Sequence, residues 1–364
     1  MDNKAIHPGE ILREELNSLH ISVREFSKRT GILEKQLSLL LSCEANITLD
    51  IAIRLSDFFG QSVQFWINLQ AIYSQRKKEE ETQSCIDADY SLLQTIDSKW
   101  RDLYLPKMIG SDKSGFVRQA RVALQASMIS NLQNENLFVL YKELNGEKKA
   151  DVFLQNVWLS VAIKQAKAER HRPYDEAMFL EALKGIRPLT KKVPEEFFPL
   201  LKRRLNESGV SLVYVPYLKN SGIFGASCWI GGDDGGKSPV IALSNRGKSA
   251  DVFWFSFVHE AAHVLMRHTR NLMLSSDDTV NSPVEREADE RGKSMLIDPK
   301  SWKRFSGFSS HHTTNGITSF AKEVGVDPCI VVGWLAKEDK KAYYIHRNMR
   351  KSYDFSFLNE KKLE

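Results

Sequence analysis

Residues 255–263 read Phe-Ser-Phe-Val-His-Glu-Ala-Ala-His, and this stretch decides the fold of the C-terminal half of the chain. His259 and His263 are four positions apart, so on a helix they lie on one face, one turn from each other. Two imidazoles in that arrangement can hold one divalent metal ion, and Glu260 beside them can accept a proton from water. The apolar run from Val252 to Val258 is typical of the buried first turns of a core helix. The stretch therefore predicts a buried, metal-binding helix.

A second helix, predicted to begin at Ser282 and Pro283, offers a third protein ligand. Serine is suited to the N-cap and proline to the first helical position. Glu285 is the best candidate ligand, and Asp289, four residues later on the same face, can orient a ligand histidine. Glu287 is the alternative ligand, although two residues along a helix turn it towards roughly the opposite side. The competing interpretation is a set of ordinary solvated or core side chains that hold no metal.

The composition is typical of an intracellular protein. With 364 residues and 42% hydrophobic side chains, the chain is long enough for two or three domains with cores. Its N-terminal residues lack a signal-peptide core, and no apolar run reaches membrane-spanning length. A net charge of +5 is too small to indicate nucleic-acid binding by itself. We therefore expect a cytoplasmic protein without membrane association, in which four scattered cysteines stay reduced: Cys43, Cys85, Cys228 and Cys329.

Short amphipathic helices are predicted to follow one another over residues 7–73. Ser22 and Glu25 have the spacing of a capping box, which indicates that a helix begins there. Thr30-Gly31-Ile32 then predicts a turn, and the next helix is predicted from Leu33 to Ser42. Two helices joined by a short turn that contains glycine form the helix-turn-helix pattern.

Several motifs in this region are shared with a known family: His7-Pro8-Gly9-Glu10, Ile47-Thr48, Ala52, Arg54-Leu55 and Phe65 to Gln70. Through them, residues 1–76 resemble the helix-turn-helix domain of HigA-type antitoxins and related Cro/C1-type (XRE) regulators. The resemblance implies a recognition helix from Leu33 to Ser42, operator DNA and a toxin as partners, and a homodimer formed through this domain. The candidate DNA contacts are Arg24, Lys28, Glu34, Lys35, Gln36 and Ser38.

The charge balance of residues 1–80 leaves two roles open for this domain. Ten lysine and arginine side chains stand against eleven aspartate and glutamate side chains. Neutralising phosphates supplies most non-specific DNA affinity, and this segment has no basic excess for it. Arg24, Lys28, Arg29 and Lys35 nevertheless form a local basic cluster. One prediction is therefore DNA binding, and the other is dimerisation or docking of a repressor partner.

The middle of the chain, residues 77–173, is predicted to be a linker followed by helices without catalytic residues. Beyond it the pattern changes to short strands at residues 211–216, 225–230 and 238–244. An all-α N-terminal domain, a helical middle region, a small antiparallel sheet and a metal-binding helix give an α+β fold. Helices, a small sheet and then a metal-binding helix are the arrangement of short zinc peptidases, in which an edge strand can take the substrate backbone by strand addition; residues 239–244 are the candidate edge.

A second set of motifs lies between Tyr174 and Leu335: Gly209-Val210, Gly225-Ala226, Pro239 to Ile241, Phe253 to Phe255 running into the His259–His263 motif, Glu285 with Asp289, and Ile317 to Leu335. This segment resembles the ImmA/IrrE family of metallo-endopeptidases, in which fusion to a HigA-like domain also occurs. The resemblance implies a minimal zincin-like domain over residues 174–364, one Zn²⁺ per chain, and cleavage of a repressor-type transcription regulator. The chain departs from the family at Glu290-Arg291-Gly292, which should alter the packing of the second helix more than the ligands.

Each candidate residue has a chemical role in this interpretation. Zn²⁺ on His259, His263 and Glu285 would make a water more acidic and polarise the scissile carbonyl. Glu260 would accept the proton of that water and pass it to the leaving amine. A further donor for the oxyanion is expected, and its candidates are His268, Tyr343, Tyr344 and His346.

Two alternatives to a peptidase remain. The first is a DNA-binding, antitoxin-like transcription regulator in which the metal domain is a sensor or a structural module. The second is a toxin–antitoxin interaction partner without turnover. An intact Glu260 favours the peptidase, because a purely structural metal site does not need that carboxylate.

Overall fold

The computed structural model describes residues 6–134, 140–141, 151–169, 172–231, 237–267, 283–308 and 312–360. The chain divides into two compact units, one up to Ala88 and one from Asp89 onward. The architecture is α+β, which confirms the predicted fold class. The predicted three-part division at residues 76 and 173 stays a prediction. No helix within the described ranges combines the length and apolar character that crossing a membrane requires.

The N-terminal unit is helical because its sequence carries clear start and stop signals. Ser22 and Thr48 cap their helices by accepting hydrogen bonds from backbone N–H groups of the first turn. Gly31 and Gly60 end the same two helices in the left-handed conformation, with φ of 71° and 78°. The helices are α1 (Pro8–Ser18), α2 (Val23–Thr30), α3 (Glu34–Leu41), α4 (Leu49–Phe59) and the first part of α5 (Val63–Thr95). Their buried side chains include Leu12, Leu16, Phe26, Leu37, Leu40, Leu55 and Trp66.

Helix α5 is longer than predicted. The sequence suggested that the charged run from Arg76 to Glu81 ends a helix and leads into a linker, but α5 continues through it to Thr95. Lysine, glutamate and glutamine are strong helix formers. Gln75, directly before the run, donates a hydrogen bond to Glu79 at 2.9 Å, and such pairs stabilise an exposed helix. The predicted end of the helix at this run was therefore wrong.

The second unit contains most of the helices and the sheet. After α5 come α6 (Ser98–Tyr104), α7 (Lys113–Leu124), α8 (Val152–Lys167), α9 (Glu176–Lys184), α10 (Pro194–Glu207), α11 (Ala250–Leu265), α12 (Pro283–Leu296), α13 (Pro299–Ser306), α14 (Thr314–Val324), α15 (Pro328–Glu338), α16 (Lys341–Ile345) and α17 (Phe357–Glu360). Short 3-10 helices span Ile129–Gln133, Arg187–Lys191 and Arg347–Met349. The strands are β1 (Leu140–Tyr141), β2 (Ser211–Tyr214), β3 (Gly225–Gly231) and β4 (Lys237–Leu243).

The sheet is mixed rather than purely antiparallel. Among the described strands the order is β1-β3-β4-β2, in which β3 is antiparallel to both neighbours and β2 is parallel to β4. Parallel neighbours need a connection of about a dozen residues or more, and the segment between β2 and β4, which includes β3, provides it. The predicted positions of three strands were right, but the residue pattern within each strand carried no information on the order of the strands in the sheet.

Strand β4 cannot be the edge that was predicted to take a substrate. Its residues pair with β3 on one side and with β2 on the other, for example Ile241 with Ser227 and with Leu212. A strand whose two edges are both hydrogen bonded has no backbone groups left for a further strand. The prediction for residues 239–244 was therefore wrong, and the edge strands among the described residues are β1 and β2.

Helix α11 is the centre of the second unit. Every residue from Ala250 to Leu265 except Val252 is buried, as the aromatic run predicted. The helix packs against β3 and β4 and against α12 and α15. Trp254 is fully buried and donates a hydrogen bond from its indole nitrogen to the hydroxyl of Tyr353 at 3.0 Å. A helix enclosed in this way holds its side chains in fixed positions, which a metal site requires.

Candidate metal centre and helix-turn-helix face

The structure brings the three predicted metal ligands together. His259 and His263 lie on α11, and Glu285 lies in the first turn of α12. The two histidine Nε2 atoms are 3.0 Å apart. Glu285 places Oε2 at 3.1 Å from Nε2 of His259 and Oε1 at 3.3 Å from Nε2 of His263. Glu287, the alternative ligand, is exposed and lies outside this group among the described residues.

These distances suit a single metal ion. Zinc bonds of about 2.0–2.2 Å to nitrogen and oxygen place tetrahedral ligand atoms roughly 3.3 Å apart, close to the separations observed here. Two imidazole nitrogens and a carboxylate are also a donor set that zinc accepts. The group formed by His259, His263 and Glu285 is therefore a site that could hold one metal ion.

Asp289 and the ionised state of Glu285 support the same arrangement. The Nδ1 atom of His259 lies 2.8 Å from Oδ1 of Asp289, so this nitrogen carries the proton and Nε2 turns a lone pair towards the group. Burial tends to raise the pKa of Glu285, but hydrogen bonds and charge from His259 and His263 outweigh it and lower the pKa to about 2. The low pKa keeps Glu285 ionised, and a metal ion would take the place of the protons that the two Nε2 atoms share with this carboxylate.

Glu260, the residue after His259, is completely buried, and its two carboxylate oxygens differ in their hydrogen bonding. Ser227, on β3, donates a hydrogen bond from its hydroxyl to Oε2 of Glu260 at 2.8 Å. The other oxygen, Oε1, has no hydrogen-bond partner among the described residues. A buried carboxylate oxygen without a partner is costly, which indicates that a water or a ligand belongs at this position. The strand passes so close that a Cβ on Gly225 would lie 3.1 Å from Cγ of Glu260.

Ser227 did not emerge from the sequence as a functional residue. Its contact with Glu260 joins positions 33 residues apart, on a strand and a helix. The available signal was a hydroxyl within a buried strand, since a polar side chain in such a place needs a hydrogen-bond partner.

Gly292 allows α12 to approach α11 directly beside the ligands. A Cβ at this position would lie 2.7 Å from the carbonyl oxygen of Val258 and 3.1 Å from the backbone nitrogen of His259. A side chain at this position would collide with the backbone of α11, so glycine is what permits the close packing. It fixes the distance at which Glu285 faces the two histidines.

Three of the four predicted oxyanion donors lie on α16 or directly after it. Tyr343 donates a hydrogen bond to Asp251 at 3.0 Å, and Asp251 precedes His259 by eight residues, roughly 12 Å along the helix. Tyr344 is 80% exposed and His346 is buried. The remaining candidate, His268, lies outside the described residues.

The helix-turn-helix face has the expected exposure. Helices α2 and α3 are joined by the turn at Gly31, and α3 begins at Glu34, one residue after the predicted start. Arg29, from the basic cluster, forms an ion pair with Glu25 on its own helix. The side chains predicted to contact DNA are all exposed: Arg24, Lys28, Glu34, Lys35, Gln36 and Ser38.

Similar proteins were found for about a fifth of the chain. It is 37% identical over 81 residues to virulence-associated protein I of Dichelobacter nodosus, covering 22% of this chain and 75% of that protein. It is 40% identical over 73 residues to the uncharacterised HTH-type transcriptional regulator YddM of Escherichia coli, covering 20% of this chain and 78% of that protein. No protein-family model matches the chain.

Two solved structures show likeness over a similar share. One is an addiction-module antidote protein of the HigA family from Coxiella burnetii, 36% identical, with 24% of this chain and 95% of that chain covered and a TM-score of 0.22. The other is the Pseudomonas aeruginosa antitoxin HigA with the higBA promoter, 33% identical, with the same coverages and a TM-score of 0.23.

Proposed function

This chain belongs, through its N-terminal helices, to the helix-turn-helix transcriptional regulators, and from that premise we propose that it binds operator DNA and regulates transcription. The observation that supports the proposal is the exposed face of α3 after the turn at Gly31. This face carries Lys35 and Gln36, side chains suited to phosphate and to adenine respectively. The even charge balance of residues 1–80 implies that specific contacts supply much of the affinity.

Selection from a library of random DNA duplexes tests this proposal without knowledge of the operator. The selected duplex is then titrated with the parent protein and with variants while fluorescence anisotropy is measured. We expect Gln36→Ala to lose about 1–3 kcal/mol and to relax the preference at one base pair, and Lys35→Ala to reduce the salt slope by about 1. Lys77→Ala, which removes the same charge from an exposed position on α5, is the matched control. Failure to enrich any sequence would leave docking of a repressor or toxin as the role of this domain.

A second function is favoured by a specific observation in the other unit. We propose that His259, His263 and Glu285 hold Zn²⁺ and that the chain is also a zinc-dependent endopeptidase. The observation is Oε1 of Glu260, a buried carboxylate oxygen that lacks a hydrogen-bond partner among the described residues and belongs to the residue directly after His259. Zn²⁺, when bound, supplies Lewis acidity towards water and towards a peptide carbonyl.

The remaining steps belong to side chains of the chain itself. Asp289 keeps Nδ1 of His259 protonated and the ring in position. Ser227 donates a hydrogen bond to Oε2 of Glu260, which leaves Oε1 available to the reacting groups. Oε1 accepts a proton as the water oxygen bonds to the carbonyl carbon, and it donates this proton to the amide nitrogen as the carbon–nitrogen bond breaks.

A search for new N-termini tests the peptidase directly. Zinc-loaded parent protein and its Glu260→Gln variant are each incubated with a bacterial lysate, and the N-termini that arise are labelled and sequenced. We expect a small set of N-termini that form with the parent alone, because the neutral amide of the variant cannot accept the proton. No difference between two proteins of equal zinc content would leave the metal group as a sensor or structural module. The repressor-type substrate, the toxin partner and the homodimer stay predictions from the resemblances.

A further inference from the structure

A cavity in the second unit lies between α9, α11 and α12, and none of the proposed metal ligands lines it. Its volume is about 440 Å³, within the range of roughly 300–1,000 Å³ that small-molecule sites have. Leu183 and Leu265 are buried and form its floor, while Leu180 and Met295 complete its apolar lining. The α9–α12 cavity therefore offers an apolar surface to a small molecule.

The charged side chains that line the α9–α12 cavity are all basic: Lys184, Arg187 and Arg291. Lysine and arginine are also common where helices end, and three helix ends meet near this cavity. Each end carries about half a negative charge, which together amounts to less than three full positive charges. Lys184 also pairs with Glu181 at 2.9 Å, but both side chains are exposed and water screens the pair. The cavity therefore keeps a positive potential.

Arg187 is held in place by the last turn of α12. Its Nε donates a hydrogen bond to the carbonyl oxygen of Met295 at 3.0 Å, and its Nη2 donates one to the carbonyl oxygen of Ser294 at 3.4 Å. Within the described ranges these bonds use two of the five N–H groups of the guanidinium. A guanidinium that is already oriented binds a carboxylate or phosphate with little further loss of side-chain freedom.

We propose that the α9–α12 cavity binds a small amphipathic anion. Its apolar body lies on Leu183 and Leu265, and its carboxylate or phosphate head lies beside Arg187 and Arg291. The apolar floor supplies affinity, and the basic side chains select an anion over a neutral molecule of the same shape. Neither proposed function of the chain needs this site, so the inference stands or fails independently of them.

Titration calorimetry on the full-length chain tests the site with octanoate as the probe. Octanol has the same apolar body without the charge, and acetate has the charge without the body. We expect octanoate to bind at least about tenfold more tightly than octanol, as for one charge-assisted hydrogen bond. Acetate should not bind measurably. Octyl phosphate identifies the head group, because its tighter or weaker binding relative to octanoate separates phosphate monoesters from carboxylates as the ligand class.

Variants place the binding in the cavity. Arg291→Gln should weaken octanoate binding by about threefold to tenfold and leave octanol binding unchanged. Arg203→Gln removes the same charge from an exposed position on α10 outside the cavity, and it should match the parent. Ser294→Trp puts an indole ring into the cavity and should abolish the binding of both molecules. If its melting temperature shows that Ser294→Trp does not fold, Arg291→Gln decides alone, since it changes an exposed residue.

Hydrogen exchange provides a second measurement of position. Octanoate should slow exchange at the backbone amides of residues 183–187 and 291–296 and leave those of β3 unchanged. Equal affinity for octanoate and octanol, or equal octanoate affinity in the parent and Arg291→Gln, would overturn the inference. The same holds if octanoate binds the parent with a dissociation constant above about 1 mM or protects a different part of the chain.

Discussion

Replacing Gly292 with alanine tests how α12 holds Glu285 against the two histidines. The added Cβ would lie 2.7 Å from the carbonyl oxygen of Val258 and 3.1 Å from the backbone nitrogen of His259. Favourable heavy-atom contacts begin at about 3.5 Å, and both neighbours are backbone atoms of a buried helix that cannot rotate away. Helix α12 therefore has to move outward by roughly 0.5–1 Å.

The magnitude follows from opposing contributions. Alanine favours helix over glycine by about 1 kcal/mol, whereas overpacking a close contact costs about 1–3 kcal/mol. The free energy of unfolding of the metal-free protein should therefore fall by about 0–2 kcal/mol. Zinc affinity should respond more steeply, because metal–ligand distances tolerate only about 0.2 Å and Glu285 moves with α12. We expect the dissociation constant for zinc to rise at least about tenfold, equal to about 1.4 kcal/mol.

Competition with a coloured chelator measures the zinc dissociation constant of the parent, of Gly292→Ala and of Glu290→Ala. The last variant changes an exposed residue of the same helix and should match the parent. Circular dichroism establishes that the helices are intact. Suppose Gly292→Ala binds zinc as tightly as the parent and melts at a higher temperature, as glycine-to-alanine changes in open helices do. The close approach of α12 would then not position Glu285, and the reasoning would fail.

Three further predictions concern the same group. The parent protein and Glu260→Gln should each bind about one equivalent of zinc per chain, and His263→Ala should bind none, as measured by inductively coupled plasma mass spectrometry. Zinc retained in His263→Ala would refute the ligand assignment. Ser227→Ala should lower kcat on a peptide identified by its new N-terminus by about tenfold, with KM and zinc content unchanged; a change in KM alone would contradict a positioning role. The pKa of Glu285 is lowered to about 2 in the folded state, whereas the pKa of a glutamate in an unfolded chain is about 4.3. The ionised carboxylate therefore stabilises the metal-free protein at pH values above about 4.3. This stabilisation should disappear as the pH falls from about 4.3 towards 2. Urea unfolding across that range should show a pH slope that Glu285→Gln reduces, and equal slopes in the two proteins would exclude this carboxylate as the cause.

The ligand group could be predicted because each part of it is encoded locally. His259 and His263 lie one turn apart in an uninterrupted helix, and helical spacing alone brings their rings together. Glu285 and Asp289 repeat the same spacing on a helix that begins with Pro283. Only the meeting of the two helices is a tertiary event, and the choice of Glu285 over Glu287 assumed it.

What the sequence could not provide depends on contacts between distant segments. The order of the strands is not contained in the alternation of any one strand, so the parallel pairing of β2 with β4 and the central position of β4 were missed. Ser227 gained its significance only when β3 was placed against α11. The length of helix α5 was underestimated for a different reason, because a run of lysine and glutamate is compatible with both a solvated linker and an exposed helix.

The arrangement around Glu260 supports the proposed peptidase over a purely structural metal site. Structural zinc sites are closed by four protein ligands, whereas catalytic sites use three and keep a position open. The group among the described residues consists of His259, His263 and Glu285. Beside it the chain buries Glu260 and stabilises only one of its oxygens, through Ser227. A structural site would be more stable with an apolar side chain in that place, since burying an unsatisfied carboxylate oxygen costs free energy. That cost is explained if the second oxygen accepts and returns a proton in each turnover.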